Sequence, residues 1–187
     1  MNREEDETFL FTSESGGEGH PDKLSDQISD AIVDACLRLD PYSRVAVEVA
    51  VKTGMVLAFG EVTCRQHPDY SEIIRSVVRR VGYDRPELGF DASSINVLTA
   101  IERQSPDIAQ SLEAGQLEMV GAGDQGLMFG YATDETQELM PLTLMLAHKL
   151  VKRVAELRRS KECAWLRPDC KAQVTVRYKK DAENGLI

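Results

Sequence analysis

The sequence has few cysteines and no CxxC pair among them. Four cysteines stand in a chain of 187 residues, at Cys36, Cys64, Cys163 and Cys170. Their number and spacing fit neither a zinc site nor a secreted disulfide scaffold. We expect all four to be small apolar core residues.

The sequence also lacks an apolar run of about 18 residues, which a membrane-spanning helix requires. Its start, residues 1–7, is acidic where a signal peptide would be basic and then apolar. The composition, 42% hydrophobic and 28% charged, is ordinary for a globular chain. We therefore expect a soluble, cytoplasmic protein that does not interact with membranes.

The net charge of −9 argues against general nucleic-acid binding. The charge is unevenly distributed, because residues 149–180 hold 11 basic and 3 acidic side chains. Such a basic block can attract an anion such as a polyphosphate. It can equally be a solvated helix face, with Lys152 and Glu156 as an i,i+4 pair.

The first half of the chain shows clear helix and strand patterns. Apolar residues recur at helical spacing from Leu24 to Leu39, with Pro21 suited to the first helical position. Strict alternation predicts a strand over 45–51, and Thr53-Gly54 predicts a hairpin turn before a return strand over 55–63. A second helix over 70–81 ends at Gly82, and a strand follows over 95–102.

The second half is less regular. Residues 105–120 lack periodicity and predict a mobile loop. A strand is expected over 127–131, a helix from Pro141 to about Arg158, and a last strand over 173–179. The helix should present Leu142, Met145, Leu146, Leu150, Val154 and Leu157 on one face. Because the chain stops soon after the last strand, we expect an unfinished sheet.

Three glycines, Gly16, Gly17 and Gly19, crowd the start of the first helix. Glycine lets backbone N–H groups approach a ligand, and the helix end adds partial positive charge. His20 could contact a phosphate oxygen there, and Asp22 could bind Mg²⁺. Alternatively, His20 is only a cap, and Asp22 only complements the helix dipole.

Two carboxylates lie in the apolar rows of the predicted hairpin. Glu48 and Glu61 either reach a sheet edge or hold a cation or an ammonium group. A two-residue turn pairs Lys52 with Met55 and places both acids on one face of the sheet. A three-residue turn would place them on opposite faces.

Other motifs indicate little chemistry. Residues 121–126 match GxGxxG, but a loop precedes them and a strand is expected after them, so a dinucleotide site is disfavoured. No Ser/His/Asp or Cys/His arrangement stands out, which favours catalysis by positioning substrates. Trp165 is expected to be a core anchor, and His148 a packing or surface residue.

Several longer motifs resemble one family. They are FTSES (11–15), GEGHPDK (17–23), KTGM (52–55), QSPDIAQ (104–110), GAGDQGLMFGYATDE (121–135) and WLRPD (165–169). Together they strongly resemble S-adenosylmethionine synthetase, also called methionine adenosyltransferase. The resemblance implies an α+β fold of pseudo-repeated domains, each a mixed sheet packed with helices. It further implies an N-terminal domain over 8–106, a gating loop or linker over 107–120 and a partial central domain over 121–187.

The resemblance also implies a reaction. The sulfur of L-methionine attacks C5′ of ATP, and the expelled triphosphate is hydrolysed with water to phosphate and diphosphate. His20 resembles the catalytic histidine beside the triphosphate, while Glu61 and Gln104 resemble residues that hold methionine. The positions that match ATP contacts are Asp169, Cys170 and Lys171. Glu14 and Asp22 resemble Mg²⁺ ligands, and Glu48 resembles a K⁺ ligand.

The sequence departs from the family pattern in three respects. Gly16 replaces a larger residue, Cys170 stands where serine is usual, and the family continues with cationic motifs that are absent here. We therefore expect the isolated fragment to be inactive and, with an uncovered sheet edge, poorly soluble. The full-length family implies a homo-oligomer, dimer or tetramer. The alternative is a non-catalytic truncated paralogue that binds a full-length partner or a nucleotide.

Overall fold

The computed structural model describes residues 8–104, 125–181 and 185–186, and the side chains among them through 179. The described chain contains three α-helices and two three-stranded sheets, one antiparallel and one mixed, which confirms the α+β prediction. It divides into two compact units. One unit holds the described residues up to His20 and those from Gly130 onward, and the other holds the described residues between Pro21 and Phe129.

The unit from Pro21 to Phe129 is built on a hairpin and two helices. Its elements are α1 (Pro21–Leu39), β2 (Arg44–Lys52), β3 (Met55–Thr63), α2 (Tyr70–Val81), a short 3₁₀ turn (Pro86–Leu88) and β4 (Asn96–Glu102). Strand β3 is central, antiparallel to β2 and parallel to β4. These helices and strands confirm the sequence predictions to within about two residues, the uncertainty of any helix boundary.

The sequence explains where these helices start and stop. Helix α1 buries Leu24, Ile28, Ile32 and Cys36, one residue per turn on a single stripe. Helix α2 starts at Asp69, whose side chain accepts a hydrogen bond from the Glu72 N–H at 3.0 Å. It ends at Gly82, whose φ of 108° is left-handed and favours glycine.

The core of this unit lies between the helices and one face of the sheet. The buried side chains of that face are Val47, Val56, Ala58 and Val62, and those of α2 are Ile74, Val77, Val78 and Val81. The opposite sheet face is uncovered. Phe59 and Leu98 are 41% and 50% exposed there.

The other unit joins the two ends of the described chain. Strand β1 (Thr8–Gly16) pairs antiparallel with β5 (Lys171–Asp181), which also pairs with the short β6 (Gly185–Leu186). The sequence analysis predicted β5 but missed β1. Helix α3 (Leu142–Arg159) packs on this sheet.

Helix α3 contacts the sheet through small residues. Thr143, Ala147 and Val151 are buried, whereas Leu146 and Leu150 are 36% and 51% exposed. The Thr143 and Ser13 hydroxyls are hydrogen-bonded at 2.8 Å, so the helix and β1 approach closely. The apolar stripe predicted for this helix is therefore wrong, because none of its six residues is among the buried ones and four of them are only half-buried.

Three other expectations are wrong. Residues 127–131 form no strand and are exposed, with Phe129 at 91%. Trp165 is 77% exposed and is no core anchor. Only Cys36 of the four cysteines is buried, while the other three are half-buried. The predicted mobile loop and most of the GxGxxG match lie outside the described residues.

Candidate functional site

The glycine-rich segment 16–20 is fastened to the segment that leads into β5. The Gly17 N–H donates to the Cys170 carbonyl at 2.7 Å, and the Gly19 N–H donates to the Pro168 carbonyl at 3.1 Å. The His20 N–H donates to the Gly17 carbonyl at 3.1 Å. Because main-chain carbonyls already occupy these donors, the expectation that the glycine N–H groups cradle a ligand is corrected.

Close packing explains two of the glycines. A Cβ atom at Gly17 would lie 2.4 Å from the Cys170 Sγ, and one at Gly19 would lie 2.5 Å from Pro168. Both distances are impossible without movement of the neighbouring segment. A Cβ at Gly16 would lie 3.2 Å from the Cβ and Cγ of His20, so a larger residue there would crowd the histidine.

Glu18 anchors the same segment to the end of α3. Its carboxylate accepts hydrogen bonds from Arg158 at 2.5 Å and from the Arg159 Nε at 3.2 Å, and it also pairs with the Arg159 Nη2. The side chains of Glu18 and Arg158 are only 24% and 13% exposed. Sequence reasoning missed this role, because the partners lie 140 residues apart and no local pattern joins them.

Glu14 and Lys171 meet on the open face of the β1–β5 sheet. Ser15 bonds to the Nδ1 of His148 in α3 at 2.7 Å, so the neighbouring residue Glu14 lies on the opposite face. The Glu14 Oε1 accepts from the Lys171 Nζ at 3.1 Å. The basic block is thus partly neutralised by Glu14 and Glu18. Glu156 pairs with Arg153 at 3.1 Å rather than with the Lys152 expected from the sequence.

The remaining predicted residues of this unit lie along the same segment. His20 and Cys170 are half-buried, and Asp169 is exposed beside the buried Pro168. Together with Glu14 and Lys171, they surround the junction of the glycine-rich segment with β5. The structure therefore brings all five of them into one region of this unit.

A hydrogen-bond network holds residues 133–135 against α3 and β5. The Tyr178 hydroxyl donates to the Glu135 Oε2 at 2.6 Å, and the Leu142 N–H donates to the same oxygen at 3.3 Å. Chiefly the Tyr178 hydrogen bond lowers the pKa of Glu135. Burial, followed by the bond to Glu135, raises the pKa of Tyr178 to about 12. The network gives Glu135 a structural role that sequence reasoning missed.

The hairpin of the other unit confirms the predicted register. Lys52 pairs with Met55 and Glu48 with Phe59, so the turn has two residues and Gly54 has a φ of 75°. Glu61 lies two residues beyond Phe59. The Glu48 and Glu61 side chains therefore share the uncovered face of the sheet.

A third carboxylate, which the sequence analysis did not single out, joins them. Glu102 of β4 is the direct parallel neighbour of Glu61. No ion pair to these three acids is found within the described part of the chain. Like charges side by side repel, so a bound cation would stabilise this arrangement.

Gln104 lies just past Glu102, at the end of β4. Its Oε1 atom is buried and accepts no hydrogen bond from the described residues. A buried carbonyl oxygen without a donor is costly, and it is rare in folded proteins. An N–H donor from a bound ligand would satisfy it.

The predicted metal ligands do not form a closed site. Among the described residues, no three His, Cys, Asp or Glu side chains are grouped so as to hold a metal ion. Asp22 is exposed in the first turn of α1, and Glu14 is paired with Lys171. A single carboxylate suits Mg²⁺ bound to a nucleotide, because phosphate oxygens and waters supply the other ligands.

None of the described helices is long and apolar enough to span a bilayer. Two family models match the chain. The N-terminal domain of S-adenosylmethionine synthetase matches residues 8–106, and the central domain matches residues 119–186. The matches cover most of the sequence, in the order of the two domains, and confirm the resemblance drawn from its motifs. The chain belongs to the S-adenosylmethionine synthetase family.

Proposed function

We propose that this chain provides the N-terminal and central parts of a methionine adenosyltransferase that binds ATP and L-methionine. Family membership supports this reaction class. The proposal is carried by an observation at one end of the uncovered sheet. Glu61 lies beside Glu102 there, and the Gln104 Oε1 has no hydrogen-bond donor among the described residues. An ammonium group would balance the acids and donate to the amide oxygen.

The proposed reaction needs no protein nucleophile. A lone pair of the methionine sulfur forms the bond to C5′ of ATP while the C5′–O bond breaks and the triphosphate leaves with its electron pair. Water then hydrolyses the triphosphate to phosphate and diphosphate. The protein must hold the sulfur in line with the breaking bond and stabilise the charge of the leaving group.

Each proposed site residue has a role that follows from the chemistry of its side chain. Glu61 and Gln104 orient methionine through its ammonium group, so that the sulfur points away from them. His20 donates to the triphosphate, and Lys171 adds a cation to it. Asp169 and Cys170 contact ATP. The hydrogen bonds from Gly17 and Gly19 to Cys170 and Pro168 fasten the glycine-rich segment to residues 168–170.

Metal ions complement these groups. Mg²⁺ would neutralise triphosphate oxygens, and Asp22 and Glu14 are each proposed as a Mg²⁺ ligand. Glu48 would hold K⁺. The donor chemistry of Asp22 fits Mg²⁺, since carboxylate oxygen is the hard ligand that this ion prefers.

We also propose that the protein is a homo-oligomer, a dimer or tetramer, in which a second copy covers the uncovered sheet face. Phe59 and Leu98 are exposed there, next to small residues such as Ala100. Burial of such a surface favours association. The same face carries Glu48 and Glu61, so a second copy would also reduce solvent access to the proposed methionine site.

The test of the proposed site is methionine binding by calorimetry to the 187-residue chain. Glu61→Gln should weaken binding about 30-fold, because a charged hydrogen bond contributes about 2 kcal/mol. Glu87→Gln, at an exposed acid in the 3₁₀ turn, is the matched control and should leave binding unchanged. Equal affinity of the Glu61 variant and the unsubstituted chain would contradict the assignment.

Activity is tested separately. The purified 187-residue polypeptide should form no S-adenosylmethionine, since too few cationic groups are present to stabilise the expelled triphosphate. Turnover by this polypeptide would contradict that expectation. Co-expression with a longer family member tests the alternative, because altered activity of a co-purified complex would favour a non-catalytic binding partner.

A further inference from the structure

Two cysteines outside the proposed site contact each other at the junction of α1 and β3. Cys36 lies in the last turns of α1 and is fully buried. Cys64 directly follows β3, and its Sγ contacts the Cys36 carbonyl at 3.8 Å and the Gln66 carbonyl at 3.0 Å. The Cys64 thiol, just past the end of β3, therefore lies directly against Cys36 of α1.

The two thiols differ in access to solvent. Cys64 is half-buried and lines a cavity of about 340 Å³ with Val62, Thr63, Arg65, His67 and Arg103. Cys36 has no exposed surface. Burial, with a contribution from Cys64, raises the pKa of the Cys36 thiol, which disfavours its thiolate. A reagent from solvent can therefore reach Cys64 before it reaches Cys36.

The cavity wall is cationic. Arg65 and Arg103 both line it, and Arg103 makes no ion pair within the described part of the chain. Arg65 is partly balanced by Asp40, at 3.8 Å from its Nε. His67 bonds through Nδ1 to the Tyr70 hydroxyl at 2.7 Å. This surface attracts anions.

We propose that Cys64 is a thiol-modification site for small disulfides that carry carboxylates, and that Cys36 is its resolving thiol. The Cys64 thiolate attacks one sulfur of the small disulfide, which forms a mixed disulfide and releases one thiolate. The Cys36 thiolate then attacks the Cys64 sulfur, which forms the Cys36–Cys64 bond and releases the second thiolate. The two protein thiols are oxidised, and the small disulfide is reduced to two thiols.

The test treats the folded 187-residue chain with glutathione disulfide and maps the products by peptide mass spectrometry. A reversible Cys36–Cys64 linkage should dominate, and urea-unfolded chain should lose this selectivity. Cys36→Ala should trap glutathione on Cys64 and raise the adduct several-fold. Cys163→Ser with Cys170→Ser is the matched control and should leave the linkage intact.

The cationic wall has its own test. Arg65→Gln with Arg103→Gln should slow the reaction with glutathione disulfide about tenfold. The reaction with cystamine, a cationic disulfide, should not slow. The proposal is overturned if mapping of the unsubstituted folded chain finds no Cys36–Cys64 linkage. It is also overturned if glutathione is found on Cys163 or Cys170 in preference to Cys64.

Discussion

Glu18 provides the sharpest test of how the glycine-rich segment is held. Glu18→Gln keeps the size of the side chain but removes its charge from the contact with Arg158 and Arg159. Arg158 is 13% exposed and would lose its counter-charge in a poorly solvated position, whereas Arg159 is 56% exposed and would be solvated by water. Nearly all of the cost should therefore come from Arg158.

A hydrogen bond to a charged group contributes roughly 1.5–3 kcal/mol, so we expect Glu18→Gln to lower the free energy of unfolding by about 2 kcal/mol. With a urea dependence of about 2 kcal/mol per molar, the midpoint should fall by about 1 M. Glu14→Gln is the matched control. Its partner Lys171 is 53% exposed, and exposed pairs contribute at most about 1 kcal/mol.

Urea unfolding followed by circular dichroism measures both variants and their double-mutant cycles. Glu18 should couple to Arg158→Gln by more than about 1 kcal/mol, and to Arg159→Gln by less than about 0.5 kcal/mol. Equal effects of Glu18→Gln and Glu14→Gln would refute the argument from burial. So would a stronger coupling to Arg159 than to Arg158.

Three further outcomes are expected. The pKa of Glu135 is lowered in the folded state, so the stability that its carboxylate contributes is present above its unfolded pKa and is lost as pH falls through its folded pKa. Because Tyr178 is the main cause of this shift, Tyr178→Phe should reduce the loss of stability between neutral pH and about pH 3. Urea titration at each pH measures this loss. Gly60→Ala should prevent folding of the hairpin, because the φ of Gly60 is 138° and an added Cβ would lie 2.1 Å from the Ala46 carbonyl oxygen. Gly54→Ala should lower the free energy of unfolding by only about 1–2 kcal/mol, because its added Cβ has no neighbour within 4 Å. Leu98→Glu puts a charge on the uncovered sheet face and should shift the chain toward monomer in light scattering. Leu150→Glu, at a comparably exposed position in α3, should not have this effect. Dissociation by Leu150→Glu but not by Leu98→Glu would place the interface elsewhere.

Local patterns in the sequence were sufficient for most of the helices and strands. Helix α1 follows from the spacing of Leu24, Ile28 and Ile32, and α2 from an apolar stripe between Asp69 and Gly82. The hairpin register followed from a two-residue turn, which also placed Glu48 and Glu61 on one face. These features depend on contacts between residues close in sequence, so their signals are local.

Local patterns were misleading where a distant partner decides the outcome. Residues 127–131 have a strand-like composition but no neighbouring strand, and Trp165 is exposed although its size suggested a core position. The buried face of α3 was predicted from its leucines. The observed buried face contains Thr143 and Ala147 instead, because small side chains permit a close approach to β1.

The sequence by itself therefore determined the family and the α+β class, because motifs and short-range periodicity encode them, and it suggested most of the candidate site residues. Only the tertiary structure decided that Gly17 and Gly19 are packed against residues 168–170, and that Glu18 binds Arg158. It likewise placed Glu102 beside Glu61 and Cys64 against Cys36. Such contacts join residues separated by 28 positions or more, and side-chain packing, which has no sequence period, selects them.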